Sequence, residues 1–169
     1  MERENIRKII MERSERQLPR KELEEYIIEF LLEQNMCVLC TCKDNVPRAT
    51  PIEYYSEGTV LYMISDPGTK IINIESNQNV SVGIFSPYTG WLSVKGVQIT
   101  GRACIIGEDN PEREHALQVY RWEKTVNELG ISGPPKQKII KVEACKIELT
   151  DFYLKLNGYS FKQVWEGDI

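Results

Sequence analysis

The chain has 169 residues, 41% of them hydrophobic and 27% charged, which fits one soluble globular domain able to bury its own core. The formal net charge of −4 argues against a general nucleic-acid binder, which would normally carry a basic face. No apolar run approaches the ~20 residues of a membrane span, and the charged start MERENIRKII has no signal-peptide core, so a cytoplasmic protein is expected.

The first residues read as a short helix with Ile6, Ile9 and Ile10 on one face. A longer helix is expected from about Pro19 to Gln34. There Leu23, Tyr26, Ile27, Phe30 and Leu31 recur at i, i+3, i+4, i+7 and i+8. Pro19 suits a first turn and Asn35 a stop. The apolar stripe reads as core packing, and residues 1–35 as N-terminal helices of a single domain.

Met36 to Cys42 is the first expected strand. It contains Cys37 and Cys40, whose spacing invites a redox pair or half a zinc site. In a strand, however, residues three apart point to opposite faces. A redox pair of this kind normally sits at a helix start, which lowers the thiol pKa. The five cysteines (Cys37, Cys40, Cys42, Cys104, Cys145) are odd in number and include no second CxxC, so they read as structural thiols.

Lys43-Asp44-Asn45 turns the chain into the stretch from Arg48 to Lys70, which reads as strand, tight turn, strand and helix start. Alternation puts Arg48 and Thr50 on one face. Pro47 and Pro51 lack ladder donors on the same edge, so that edge is expected to be poorly paired, or bulged around Ala49. After the turn signal Glu57-Gly58, a second strand runs from Thr59 to Ser65. Asp66-Pro67-Gly68 ends it and places Thr69 and Lys70 in the first turn of a helix. A helix start offers unpaired N–H groups and a favourable dipole to an anion. A lysine there is unfavourable unless an anion is bound beside it. Arginine, hydroxyl and lysine converging on a helix start point to a bound phosphate.

Val80 to Phe85 is the next strand, and Ser86 to Gly90 a loop. A long β segment follows from Trp91 to Ile106, with Gly96 and Gly101 as bulge or bend points. Pro111 to Leu129 reads as one helix, with Ala116, Val119, Tyr120, Val126 and Leu129 on one side and His115 near its start. That lone histidine has no triad partner and reads as a surface or packing residue. After the loop Gly130 to Pro135 come two last strands, about Ile139 to Leu149 and Asp151 to Leu156, and a tail from Gly158 to Trp165. The order of elements predicts a mainly β, α+β fold: an antiparallel β-barrel with flanking helices.

The Arg48–Lys70 segment resembles the pyridoxamine 5'-phosphate oxidase-like family of FMN-binding split β-barrels. In that family an Arg on one strand and a Lys after the next grip the FMN phosphate, and Arg48 and Lys70 stand at matching positions with the same spacing. Asn73 to Val82 resembles the family's helix end and next strand, and Trp91 with Val97 to Ala103 its long later strand. The resemblance covers roughly Phe30 to Gly107. It implies a homodimer with FMN at each subunit interface. Arg48 and Lys70 would then pair with the phosphate, and Thr69 and Ser65 would give it hydroxyl hydrogen bonds. The backbone from Ala49 through Thr50 and Pro51 to Ile52 would run beside the flavin ring, with Gln98 hydrogen-bonding it. The function implied is an FMN-dependent oxidoreductase without an identifiable catalytic acid or base. Alternatives are a deazaflavin-dependent reductase and a non-catalytic protein that binds FMN or haem, for which His115 would be the only histidine ligand.

Overall fold

A computed structural model of the chain describes residues 4, 7, 8, 11–130 and 133–167. The expected helix carrying Ile6, Ile9 and Ile10, and the side chains of Val126 and Leu129, lie outside the described residues. Helix α1 is Arg20–Glu33, entered at Pro19 as expected, and it buries Leu23, Ile27, Phe30 and Leu31. Strands β1 (Met36–Lys43) and β2 (Val46–Glu53) form a hairpin closed by Asp44 and Asn45. Both turn residues have positive φ, the conformation that a two-residue hairpin requires and that Asp and Asn tolerate. Strand β3 (Tyr55–Glu57) and β4 (Val60–Ser65) meet at a second tight turn, where Gly58 has φ 58°. Helix α2 (Thr69–Ser76) and β5 (Asn79–Phe85) follow.

Three expectations for the later chain need correction. Trp91 does not begin a strand: Trp91–Ser93 is a 3-10 turn and β6 is Lys95–Ile106. The Ser93 hydroxyl donates to the Gly90 carbonyl and accepts from the Thr89 N–H, a local alternative to ladder pairing. The expected helix from Pro111 to Leu129 is two helices, α3 (Arg113–Tyr120) and α4 (Trp122–Leu129), broken at Arg121 with φ 57°. In an unbroken helix Trp122 would point about 140° away from Leu117. The break returns it to the cluster of Tyr62, Ile106, Ala116, Leu117 and Ile139. Asp151 to Leu156 is not a strand either. Strand β7 (Lys138–Asp151) is one continuous element, ended by the Asp151 carboxylate accepting the Tyr153 N–H into a 3-10 helix. The tail supplies β8 (Lys162–Glu166), which the sequence did not signal.

All strands are antiparallel, in the order β2-β1-β5-β6-β7-β4-β3. The long β7 divides its free edge, pairing β4 over its first half and β8 over its second. Strands β2 and β3 stand at the two ends of this order yet only Tyr54 separates them in the chain, so the sheet curls on itself. The result is the expected antiparallel split β-barrel with flanking helices. Its register places one unbroken row inside, Thr50–Leu39–Val82–Ile99–Ile147–Trp165, across six strands. One residue along, the row Pro51–Val38–Gly83–Gln98–Glu148–Val164 faces outward. Helix α1 packs onto the inner face, and Trp165, buried there, donates from Nε1 to Glu24. The tail is thus an anchor in the core.

The expected bulge is present at Gly101, where the β6–β7 register shifts. A Cβ there would lie 2.6 Å from the Glu143 carbonyl oxygen, so the backbones approach as only glycine permits. No bulge forms around Ala49, because β2 pairs with β1 without interruption from Val46 to Glu53. The prolines instead face the outer edge of β2, which no described strand covers.

Strand β1 alternates as read, with Cys37 inside and Cys40 half-buried on the other face. Burial, and secondarily the neighbouring Cys40, pushes the Cys37 thiol up to about 12. At pH 8 its thiolate fraction is then on the order of 10⁻⁴. Native-state labelling with a disulfide reagent is expected to modify the exposed Cys104 well before Cys37, and mild oxidation to leave Cys37 and Cys40 unbridged. Recovery of a Cys37–Cys40 disulfide by peptide mapping would contradict this.

Candidate functional site

The site is assembled on β2 and the start of α2. Register places Arg48 opposite Thr41 and Thr50 opposite Leu39, on the inward side of the hairpin near its uncovered edge. Thr41 is buried and its Oγ1 accepts a 3.0 Å hydrogen bond from Asn73 Nδ2, itself buried on α2. One turn of helix spans three to four residues, so Thr69, Lys70 and Asn73 share a face of α2. The pair Thr41–Asn73 therefore locks the start of α2 against the strand position facing Arg48. A second link fixes the far end of the helix, where Asn77 Nδ2 donates to the Cys42 carbonyl over 3.2 Å. Neither asparagine stood out as a site residue in the sequence. Their only signal was one amide, Asn73, among the apolar residues of the helix and another, Asn77, just past its end.

The helix start itself is uncapped: its N-cap is Gly68, with no side-chain hydrogen bond. The N–H groups of Ile71 and Ile72 reach the Gly68 carbonyl at 3.0 and 3.2 Å, whereas those of Thr69 and Lys70 have no intrahelical acceptor. Arg48 is exposed and Lys70 half-exposed, and neither forms an ion pair or hydrogen bond among the described residues. Thr50 supplies a further sign. Its Oγ1 is buried without a hydrogen-bond partner, a condition that costs about 1–3 kcal/mol if nothing fills it.

The other expected residues divide. Ile52 lies on the inner face with Arg48 and Thr50, opposite Cys37. Ala49 and Pro51 point outward, so only their backbone lies along the edge. Ser65 is buried at the end of β4 and donates its hydroxyl proton to the Asp66 carbonyl at 2.8 Å, leaving only lone pairs for a ligand. Gln98 lies on the outer face, three strands from β2, and the fold does not bring it to the Arg48 side of its own chain. His115 sits on α3, exposed, with Nε2 2.8 Å from Glu57 Oε2. No group of three or more metal-ligating side chains occurs among the described residues, and no described helix is long and apolar enough to cross a membrane.

A family model described as pyridoxamine 5'-phosphate oxidase matches residues 23–151. An uncharacterized protein of Rhizobium meliloti is 41% identical over 66 residues, which span 38% of this chain and 42% of that protein's length. The crystal structure of an FAD-binding protein from Mesorhizobium loti is similar at a TM-score of 0.59 and 20% identity, covering 70% of this chain and 87% of that one. A candidate pyridoxamine 5'-phosphate oxidase from Listeria innocua is similar at a TM-score of 0.61 and 21% identity, covering 75% and 97%. At such identities the two structures speak for the fold alone.

Proposed function

The chain belongs to the pyridoxamine 5'-phosphate oxidase family, and on that premise we propose that it is an FMN-binding oxidoreductase working as a homodimer. The observation that carries the reading is the uncapped start of α2, tied by Asn73 and Thr41 to the strand position opposite Arg48. Arg48 and Lys70 would balance the phosphate charge, with Arg48 offering a planar fork and Lys70 a mobile point charge. The free N–H groups and the Thr69 hydroxyl would complete the phosphate shell. The orphaned Thr50 hydroxyl, buried beside this position, fits a polar cofactor that supplies its missing partner. The β2 edge, stripped of two donors by Pro47 and Pro51, would leave room for the flavin ring along Ala49 to Ile52. FMN when bound supplies the electron transfer, and the chain supplies its position and charge environment. Titration of the purified protein with FMN, together with mass spectrometry of any small molecule that co-purifies, tests the reading. Absence of saturable binding of any flavin would sink it.

Efficient oxidation of pyridoxamine 5'-phosphate itself is not expected. That substrate carries its own phosphate and needs a second anion site, yet no Arg follows Arg121 and no His follows His115. Lys155 and Lys162 lack the bidentate geometry of arginine, and Trp165 is committed to the core. Oxygen-dependent formation of pyridoxal phosphate should run far below the ~10 per second typical of enzymes. Turnover near that value would reveal an anion site that these residues do not provide.

A further inference from the structure

The helical insertion between β6 and β7 holds a charged cleft that the flavin reading leaves unused. Arg121, with φ 57°, turns α4 off the axis of α3, and Trp122 packs beside Leu117. Between this elbow and Pro134 lies a cleft of about 530 Å³, within the range of small-molecule sites. Leu117 and Trp122 give it an apolar wall. Arg113, the first residue of α3, lines it as well. Its Nη2 reaches across to the approach of β7 and donates to the carbonyls of Pro135 (2.5 Å) and Gln137 (3.0 Å). Those two bonds hold the guanidinium in place. Its Nη1 is buried without a hydrogen-bond partner, and no carboxylate among the described residues forms an ion pair with Arg113. Backbone dipoles offset only part of a full charge, and a charged donor left unpaired out of water is costly. Around the same cleft stand Glu108, Glu114 and Glu123. All three are exposed and have no ion pair or hydrogen bond among the described residues.

We propose that this cleft binds a basic α-amino acid, whose carboxylate completes Arg113 and whose side-chain cation meets the glutamate rim. The inference does not rest on the flavin reading. Each half of the cleft disfavours a simpler class of ligand. A free anion such as phosphate would meet three carboxylates for one guanidinium. A plain diamine would suit the rim but leave Nη1 without its acceptor. A zwitterion with a long basic side chain answers both. Its carboxylate accepts the charge-assisted type of hydrogen bond from the guanidinium, which is stronger than a neutral one. Its methylene stem covers Leu117 and Trp122, as long basic side chains cover apolar surface elsewhere. The excess of carboxylates over guanidinium then favours a ligand with net positive charge, and so arginine or lysine over a neutral amino acid.

The test is calorimetric titration of the full chain with three probes. They are L-arginine, agmatine (the same cation without the carboxylate) and L-citrulline (the same carboxylate with a neutral side chain). Arginine should bind saturably at millimolar concentration or below. Agmatine and citrulline should each bind at least ~10-fold more weakly, the effect of losing one charged contact. Agmatine carries more positive charge than arginine, so the rim alone would favour it, and weaker binding isolates the carboxylate. The double variant Glu114→Gln/Glu123→Gln should weaken arginine ~10-fold or more and leave citrulline unchanged. Both side chains are exposed and unpaired among the described residues, so its melting temperature and FMN titration should match the wild type. Arg113→Gln should weaken arginine and citrulline together and spare agmatine. Should that variant fail to fold for want of its bonds to Pro135 and Gln137, the glutamate variant keeps the test decisive. Absence of saturable arginine binding would overturn the inference. So would agmatine binding as tightly as arginine, which leaves Arg113 idle, or citrulline doing so, which leaves the rim idle.

Discussion

Substituting Arg48 or Lys70 with alanine is expected to raise the FMN dissociation constant about 10- to 100-fold. A hydrogen bond to a charged group contributes ~1.5–3 kcal/mol net, and each 1.4 kcal/mol is tenfold in affinity. Both side chains are candidates for one phosphate, so they act on a shared partner and the double variant should fall short of the product of the two effects. Arg48→Lys should recover part of the loss by restoring charge without the fork. Riboflavin, which lacks the phosphate, provides the control and should respond far less to any of these changes. Equal losses for FMN and riboflavin would mean that the two cations support the fold rather than the phosphate. Because Arg48 is exposed and neither cation has a partner among the described residues, the variants should fold normally.

Tyr54→Ala should destabilise the protein by about 3–5 kcal/mol, the range for removing a large aromatic side chain from a core. Tyr54 is wholly buried and is the single residue between β2 and β3, the two ends of the curled sheet. Its N–H donates to the Asn35 carbonyl at 2.9 Å, and its hydroxyl donates to the Leu31 carbonyl at 2.8 Å. Leu31 lies in the last turn of α1, where carbonyls have no intrahelical partner, so the tyrosine terminates the helix as well as filling space. Tyr54→Phe keeps the ring and removes only that hydrogen bond, and should cost ~1–3 kcal/mol. For a chain of this length each kcal/mol corresponds to roughly 2–4 °C. Thermal melts should therefore order the proteins as wild type, Phe, then Ala, with the last down by roughly 10 °C. Identical melting temperatures for the Phe and Ala variants would refute the packing role, and an unshifted Phe variant the capping role.

Much of the barrel was legible because its signals are local. Asp44-Asn45 and Gly58 occupy turns whose φ values those residues tolerate. The period of Leu23, Ile27, Phe30 and Leu31 sufficed for α1, and the glycine at the bulge announced itself by having no side chain to collide with Glu143. The residues proposed for the phosphate, Arg48, Thr69 and Lys70, were readable in the same way, since strand, breaker and helix start adjoin in sequence.

Where a local pattern met a distant contact, the contact won. The helical period ran straight through Arg121, but the chain breaks there because Trp122 packs against Leu117 and its neighbours. Asp151 had the company of a strand, yet its buried carboxylate binds Tyr153 N–H and the Tyr26 hydroxyl, which ends β7 and pins α1. Which face each strand residue occupies in the closed barrel depends on register across β2, β1, β5 and β6. That register put Thr50 inside with an unpartnered hydroxyl, and it put Gln98 outside, between Gly83 and Glu148. The sequence by itself determined the kinds of element and the groups that offer themselves to an anion, because propensity, turn chemistry and helix-end polarity act over a few residues. Only the tertiary structure decided that Asn73 reaches Thr41, that β2 ends as an open edge, and which surface is left bare, because these follow from pairing between residues tens of positions apart.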